Sequence, residues 1–598
     1  MFPDKWHFEK GYRFISIGLF FCLFVYLFLR ALYIDILHDE AATFLHYIET
    51  GYFFGPNSIV DANNHLLNSA VCRGIYKLFG ENFFMLRLPN LLSFPIYFWA
   101  LTQLISIHKN YLIRLFVLVG TTCIPFILEY FANCRGYGIS LAFFLAALVF
   151  LSRLSVKISV KNHLLVAICL AIAAYSNLTF LVSIVLAALF ILIQQFRQKE
   201  SLGRKKQIVH LGIHLLFATV IVPAGIFARV LKEGGALYYG SMDGFWEVTG
   251  TTLSRYTIYT DVEFLKWIFL LIGILMILVL ILKWLKIGFS PFFSESETML
   301  AWFFFGHVVV ILILANFMEV NYPEDRVGMY LIILALLLLA RLIERIPKGQ
   351  FLFLGFLFFP ISMIPKMNLD TSVFSPDDRM TQEFYDIVYK ELDKGNTSVT
   401  MYHLMNLTWP MHNRYSEHQY LPAISGVANQ ASDIILSRTN LFLPKKDLLN
   451  YDTLFLDKSN GFLAFKRKKS FQKTTLVDTL ISKPATTFEF AEIHRLKIPD
   501  SLKNCKIQLH VSGVVGIDSP KDEVVFTYSV FNKNGENSHH DWWTTRWYNG
   551  VKNDHSFILN YPIEKWNSDD DELRLYFFNP HMVKVQLKDI KLEILKLD

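Results

Sequence analysis

His38, Asp39 and Glu40 stand side by side where the first apolar stretch of the chain, 14–34, runs out. A deprotonated carboxylate in that place can take a proton from a hydroxyl or amine as it attacks an electrophilic carbon. Its neighbour can orient it or help hold a cation. Carboxyls are costly beside hydrocarbon, so a pair at the end of an apolar helix faces water or a partner. A solvated helix end is the plain alternative. Further along, Asp61-Ala62-Asn63-Asn64-His65-Leu66-Leu67 brings an acid, two amides and an imidazole into the same long loop, 33–83. Arg135, with no acid next to it in sequence, and Arg326, in Tyr322-Pro323-Glu324-Asp325-Arg326, are cations in connections outside the basic set. For Arg326 the competing reading is a local pair with Glu324 or Asp325. Lys232 and Arg255, in the loop 232–261, are further cations of this kind. The glycines and tyrosines of that loop suit a lid or an aromatic interfacial belt.

The elements that position these residues are apolar helices. Of 598 residues 53% are hydrophobic and 18% charged, and the mean hydropathy is +0.36. That composition describes a polytopic membrane protein carrying a soluble part. Apolar runs at 14–34, 84–106, 112–131, 137–152, 164–176, 179–196, 208–230, 264–286, 299–317, 327–344 and 350–365 give about 11 transmembrane helices. The pair meeting at Ser176-Asn177 could form one bent span. Alternate connections are basic, carrying Lys109 and Arg114; Arg153, Lys157 and Lys161; Arg197, Lys199, Arg204, Lys205 and Lys206; Lys283 and Lys286; and Arg341, Arg345 and Lys348. The others carry Asp39, Glu40, Asp61, Glu129, Asp243, Asp261, Glu319, Glu324 and Asp325. The positive-inside rule then sets the N-terminus in the cytoplasm and everything after the last span outside. The net charge of +6 is modest and lies in these loops, so it speaks for topology and against a nucleic-acid partner. No short apolar region with a small-residue cleavage site opens the chain, and the first span is expected to stay as an anchor.

From about Asp370 the pattern becomes soluble. The expected division is a transmembrane domain over 1–368, an α/β domain over 369–469 and a C-terminal β-sandwich over 470–598. A helix is expected at 381–392. Strands are expected at 398–401, 433–436, 453–456, 462–465, 506–511, 523–530, 573–578 and 583–592, with turns at Asp500, Asn534-Gly535 and Asn549-Gly550. The tail has a single cysteine, Cys505, so it holds no disulfide framework and no CxxC metal pair. Its run Ser538-His539-His540-Asp541-Trp542-Trp543 and the triplet Arg546-Trp547-Tyr548 suit either core packing or stacking on sugar rings. Asn177, Asn396 and Asn406 head Asn-x-Ser/Thr triplets of the kind that arises by chance.

His38-Asp39-Glu40-Ala41-Ala42, Asn63-Asn64-His65-Leu66-Leu67, Leu78-Phe79-Gly80 with Arg87-Leu88-Pro89, and Arg135-Gly136-Tyr137-Gly138 together resemble the GT-C glycosyltransferases. Within them the resemblance is to the group of dolichyl-phosphate-mannose protein mannosyltransferases and lipid A aminoarabinose transferases. It covers about the first 200 residues by motif and the rest of the membrane half by topology. It implies inverting transfer of a sugar from a polyprenyl-phosphate carrier to a protein, lipid or glycan acceptor on the outer side of a bacterial cytoplasmic membrane. It further implies Asp39 as the base with Glu40 beside it, and Asp61, Asn64 and His65 near the acceptor or a divalent metal. Glu40 and His65 are then the candidate metal ligands, and Arg135, Tyr137 and Arg326 hold the donor phosphate, with Lys232 and Arg255 in support. Two departures stand out: Asn64-His65-Leu66 replaces a proline-rich run, and Gly136 replaces the proline of an Arg-Pro-Tyr triplet. A transporter for lipid-linked sugar is the alternative, but transporters set their ionisable residues at mid-membrane between repeats, whereas these acids lie at span ends. A membrane-anchored binding protein would not need so many spans.

Overall fold

Glycine, proline and the apolar periodicity decide where the helices of the N-terminal half begin and end. The structure is a computed structural model describing residues 5–55, 57–198, 203–258, 263–372, 375, 380–395, 397–401, 407–416, 419–424, 429–439, 448–458 and 461–598. Lys199, Asp261, Asn396 and Asn406 lie outside the described residues. The chain divides into two compact units, one of residues 1–34 and 59–373, the other of 35–58 and 374–598.

The first unit is helical and forms a multi-pass membrane domain. Among the described residues, seven helices are long and apolar enough to cross a bilayer. Lys5–Tyr33, Phe83–Ile105, Tyr137–Val156, Val160–Ser176, Leu181–Arg197, Arg204–Glu233, Glu263–Ile287, Ser296–Met318 and Met329–Ile343 answer nine of the expected runs. Of the remaining two, one is broken and the other, Gly349–Lys366, is among those seven but changes its helix type along its length. The run 112–131 is one helix, Tyr111–Thr122, followed by a separate turn, Pro125–Glu129. Ile124 is extended, as a residue before proline prefers to be, and Pro125 starts the next turn. The run 350–365 is 3₁₀ over Gly349–Leu357, α-helical only over Phe358–Met363, and 3₁₀ again over Ile364–Lys366. Gly349, Gly355, Pro360 and Pro365 weaken a regular helix there. Ser176-Asn177 does not bend a single span. Asn177 is extended, and its side chain accepts from Thr179 N at 3.1 Å, so two helices meet there.

At one end of this bundle His108 pairs with Glu344 at 2.9 Å, and Glu297, fully buried, draws Lys283 at 2.5 Å, Arg341 at 3.5 Å and Arg345. Two of the basic connections, at Lys283 and at Arg341–Arg345, thus meet there and are partly neutralised by an acid. Connections of the other set join elsewhere: Arg30 donates to Asn368 O at 2.9 Å and Thr371 O at 3.2 Å, and His65 reaches Ser176.

The second unit begins with the short helix His38–Thr43, which runs into a π turn, Phe44–Ile48. Helix Gln382–Leu392 lies with a mixed sheet ordered 423–424, 399–401, 434–438, 462–467, 451–456 among the described residues. Two further sheets form a β-sandwich: 537–544, 525–532, 570–578, 490–497 in one, and 420–421, 554–563, 506–517, 585–597, 473–486 in the other. The strand Tyr420–Leu421 pairs in parallel with Ile558 and Leu559, so residues expected in the α/β domain complete a sandwich sheet. The tail aromatics are mostly packing: Trp543, Trp547 and Tyr548 are buried and Trp543 Nε1 donates to Pro422 O at 2.8 Å, while Trp542 is 48% exposed.

Candidate functional site

In the membrane unit a set of polar and aromatic side chains gathers around Tyr137. This residue opens the helix Tyr137–Val156, directly after Arg135 and Gly136. Gly136 has ordinary helical φ, but any side chain there would run into the Ser176 carbonyl oxygen and come within 2.9 Å of the His65 Cβ. Glycine therefore buys the close approach of three segments. His65 caps the helix Leu66–Phe79, its Nδ1–H donates to Ser176 O at 2.8 Å, and its ring meets the Tyr137 ring edge-on at 4.7 Å. Because a carbonyl only accepts, this bond puts the proton on Nδ1 and leaves the neutral ring's lone pair on Nε2. A buried amide pair underlies the arrangement: Asn90 donates to Asn68 Oδ1 at 2.9 Å and accepts from Ile139 N at 3.2 Å.

Both arginines singled out from the sequence reach Tyr137. The Arg135 guanidinium lies 5.6 Å from the centre of its ring and bonds Asn63 Oδ1. Arg326 Nε is 3.3 Å from the Tyr137 hydroxyl, and its guanidinium sits 4.7 Å from the centre of the Tyr239 ring. The Tyr239 hydroxyl donates to Asp325 at 2.7 Å, and burial followed by that carboxylate raises its pKa against the opposing pull of Arg326. Gly240, at φ 89°, lets this segment turn against the Tyr322 carbonyl, and Asn321 ties it down through Tyr238 O and Gly240 O at 3.1 and 3.0 Å. The 232–261 segment is not a plain loop: Trp246–Gly250 is a π turn and Thr251–Ile258 a helix. From it Thr252 accepts from Asp325 N at 3.1 Å. Arg255 lies near Glu324, whose pKa is raised by burial first and by Asp325 second. Lys232, exposed, donates to the Met318 carbonyl. Asp61 accepts from Asn63 N at 2.9 Å and so shapes the turn before His65, while Asn64 accepts from Ser69 Oγ at 3.2 Å. These are positioning bonds.

Asp39 and Glu40 belong to the other unit. Glu40 is fully buried and its Oε2 accepts from Leu37 N at 3.2 Å, closing the first turn of its own helix. Asp39 is partly exposed, and its carbonyl accepts from Thr43 at 2.9 Å.

No protein-family model and no curated protein matches the chain. By structure it is similar to ArnT from Cupriavidus metallidurans bound to undecaprenyl phosphate, with 12% identity and a TM-score of 0.41 over 76% of this chain and 98% of that one. It is also similar to the arabinosyltransferase EmbB from Mycobacterium smegmatis, with 11% identity and a TM-score of 0.32 over 98% of this chain and 64% of that one. A third similar structure is the Archaeoglobus fulgidus oligosaccharyltransferase in complex with zinc and sulfate, with 9% identity and a TM-score of 0.37 over 96% of this chain and 98% of that one.

Arg135, Tyr137, Arg326 and His65 thus come together, Arg255 lies at the acidic edge of the group, and Lys232 is engaged elsewhere. Asn63 and Tyr239 are members that sequence reasoning did not assign; Asn63 stood inside a quoted motif, whereas Tyr239 carried only an aromatic-loop signal. Among the described residues no group of three or more His, Cys, Asp or Glu is placed to hold a metal ion.

Proposed function

We propose that this chain is a glycosyltransferase that moves a sugar from a polyprenyl-phosphate donor to an extracytoplasmic hydroxyl or amine on a protein, lipid or glycan. The observation that supports it best is the convergence of Arg135 and Arg326 on Tyr137. Two guanidiniums held by aromatic faces and a hydroxyl suit a phosphate, which takes bidentate hydrogen bonds and needs its growing charge offset as it leaves. The acceptor's oxygen or nitrogen attacks the anomeric carbon, and the bond from that carbon to the phosphate oxygen breaks with inversion. The polyprenyl phosphate departs with the electron pair. Asp39, by the sequence resemblance, takes the acceptor's proton. No step is assigned to a metal. The setting is a bacterial cytoplasmic membrane, with the N-terminus inside and the C-terminal unit in the periplasm.

The test is transfer from a panel of labelled polyprenyl-phosphate sugars by the purified full chain in proteoliposomes. Asp39→Asn should lower kcat by about 10²–10⁴-fold, the range of a general base. Arg135→Gln and Arg326→Gln should each cost about 10²–10³-fold, as loss of one charge-stabilising donor does. Full activity of Asp39→Asn would remove the base assignment. Donor moved across the bilayer but never consumed would replace the reading with a lipid-linked sugar transporter.

A further inference from the structure

We infer that Glu49 is a positioning residue for Asp39, and that through it the C-terminal unit sets the geometry of that base; this rests on the glycosyl-transfer reading. Asp39 follows directly on the first membrane helix in sequence, yet residues 35–58 fold with 374–598. The helix His38–Thr43 continues into the π turn Phe44–Ile48, which Glu49 closes by donating its N–H to Phe44 O at 2.9 Å. A π turn is an uncommon way to extend a helix and tends to mark functional places, because it shifts the face on which the next side chain lands. Here that side chain is Glu49, and it is 1% exposed.

Its carboxylate is gripped from the C-terminal part of the chain. Arg414 donates to both oxygens, at 2.8 and 3.1 Å, and Arg546 donates to Oε2 at 2.6 Å and to the Leu45 carbonyl at 2.9 Å. Arg414 is itself fixed by the carbonyls of Trp547 at 2.6 Å and Arg546 at 3.3 Å. Glu523, 3.4 Å from Arg546 Nη2, supplies a second negative charge, so two guanidiniums meet two carboxylates. A buried ionic cluster of this kind adds little stability over apolar packing of the same volume. What it does impose is orientation, since a forked guanidinium accepts a carboxylate in few geometries. On the other side of Asp39, Asp35 lies 3.3 Å from His412, and beyond Glu49 Tyr52 donates to Asp522 at 3.2 Å. Asp39 is therefore held between anchors at Asp35 and Glu49, both on residues of the C-terminal part.

The experiment uses the full chain in proteoliposomes with the donor panel and reads two quantities. In Glu49→Gln, amide hydrogen exchange over 38–48 should speed up. Its kcat per folded molecule should fall about 100-fold, the cost of misplacing a reacting group by about an ångström, with donor KM changed by less than about twofold because the phosphate residues are untouched. Glu49→Asp, which keeps a carboxylate between Arg414 and Arg546, should retain more of the protection and of kcat than Glu49→Gln does. Unchanged exchange in Glu49→Gln overturns the clamp. Faster exchange with unchanged kcat per folded molecule overturns the positioning role. A wild-type chain that consumes no donor overturns the transfer reading and with it the positioning role, while the exchange result still decides whether Glu49 holds the segment.

Discussion

Gly136 and His46 show how single side chains carry the local geometry. In related triplets a proline pre-sets the helix start, whereas here the Ser176 carbonyl and His65 occupy the volume that a proline ring or any Cβ would need. The glycine is the local answer to that crowding. His46, ahead of Glu49 on the π turn, lies 5.5 Å from the Trp547 ring. Burial first, then the nearby Arg546 and His38 charges, push its pKa from 6.5 down to about 3. His555, in the same unit, is pushed down to about 4, chiefly by burial. Both rings fold neutral but protonate readily once the chain opens. Their contribution is present in full above about pH 6.5 and is lost as pH falls from there toward about 3–4. Thermal unfolding of the full chain should therefore show a midpoint that drops across that window, and His46→Gln should flatten part of the slope. An unaltered slope would mean that His46 is not buried neutral.

At the scale of elements, the ends of the helices are set by caps that come from far along the chain. Arg87, part of the Arg87-Leu88-Pro89 motif, is 1% exposed. It donates to the carbonyls of Ala31 and Ile34, at 3.1 and 2.6 Å. Those are carbonyls at the C-terminal end of helix Lys5–Tyr33, just where the chain leaves for Asp39. A helix leaves its last carbonyls without partners, and a cation suits that end. A motif that carried the family resemblance is thus, in its visible bonds, a helix cap. Arg87→Ala should cost roughly 3–6 kcal/mol, the scale of two charge-assisted hydrogen bonds. Lower thermal stability in detergent would register it, and a midpoint equal to wild type would count against the cap. The sequence located nine of its apolar runs as helices because apolar length and periodicity are local properties. It missed the break at Cys123 and the 3₁₀ turns within 349–366, where proline and glycine act on an apolar run, and it missed the helices inside 232–261, where polarity masks them.

For the whole molecule, the deciding feature is that the candidate base and the candidate phosphate residues belong to different compact units. Ala41, Phe44, Leu45, Tyr47 and Ile48 are each at most 1% exposed, and they belong to the unit that includes 374–598. Burying each of the larger ones is worth about 1.5–3 kcal/mol. A chain ending at 373 should therefore lose transfer activity and become sensitive to limited proteolysis within 35–58, even though every membrane helix is retained. A truncated chain that kept both activity and protection would show the segment folding without the C-terminal part.

The sequence by itself determined the membrane character, most spans, one helix and eight of the strands of the soluble part, and the choice of Arg135, Tyr137 and Arg326. Each of these rests on local composition, periodicity or a short motif, which a linear reading captures. Only the tertiary structure decided that the two arginines meet on Tyr137, that Tyr239 and Asn63 join them, and that Lys232 is held elsewhere. It alone assigned 35–58 to the C-terminal unit and gathered Arg414 and Arg546 on Glu49. Those are contacts between residues hundreds of positions apart, set by packing and buried charge, and no periodicity in the chain encodes them.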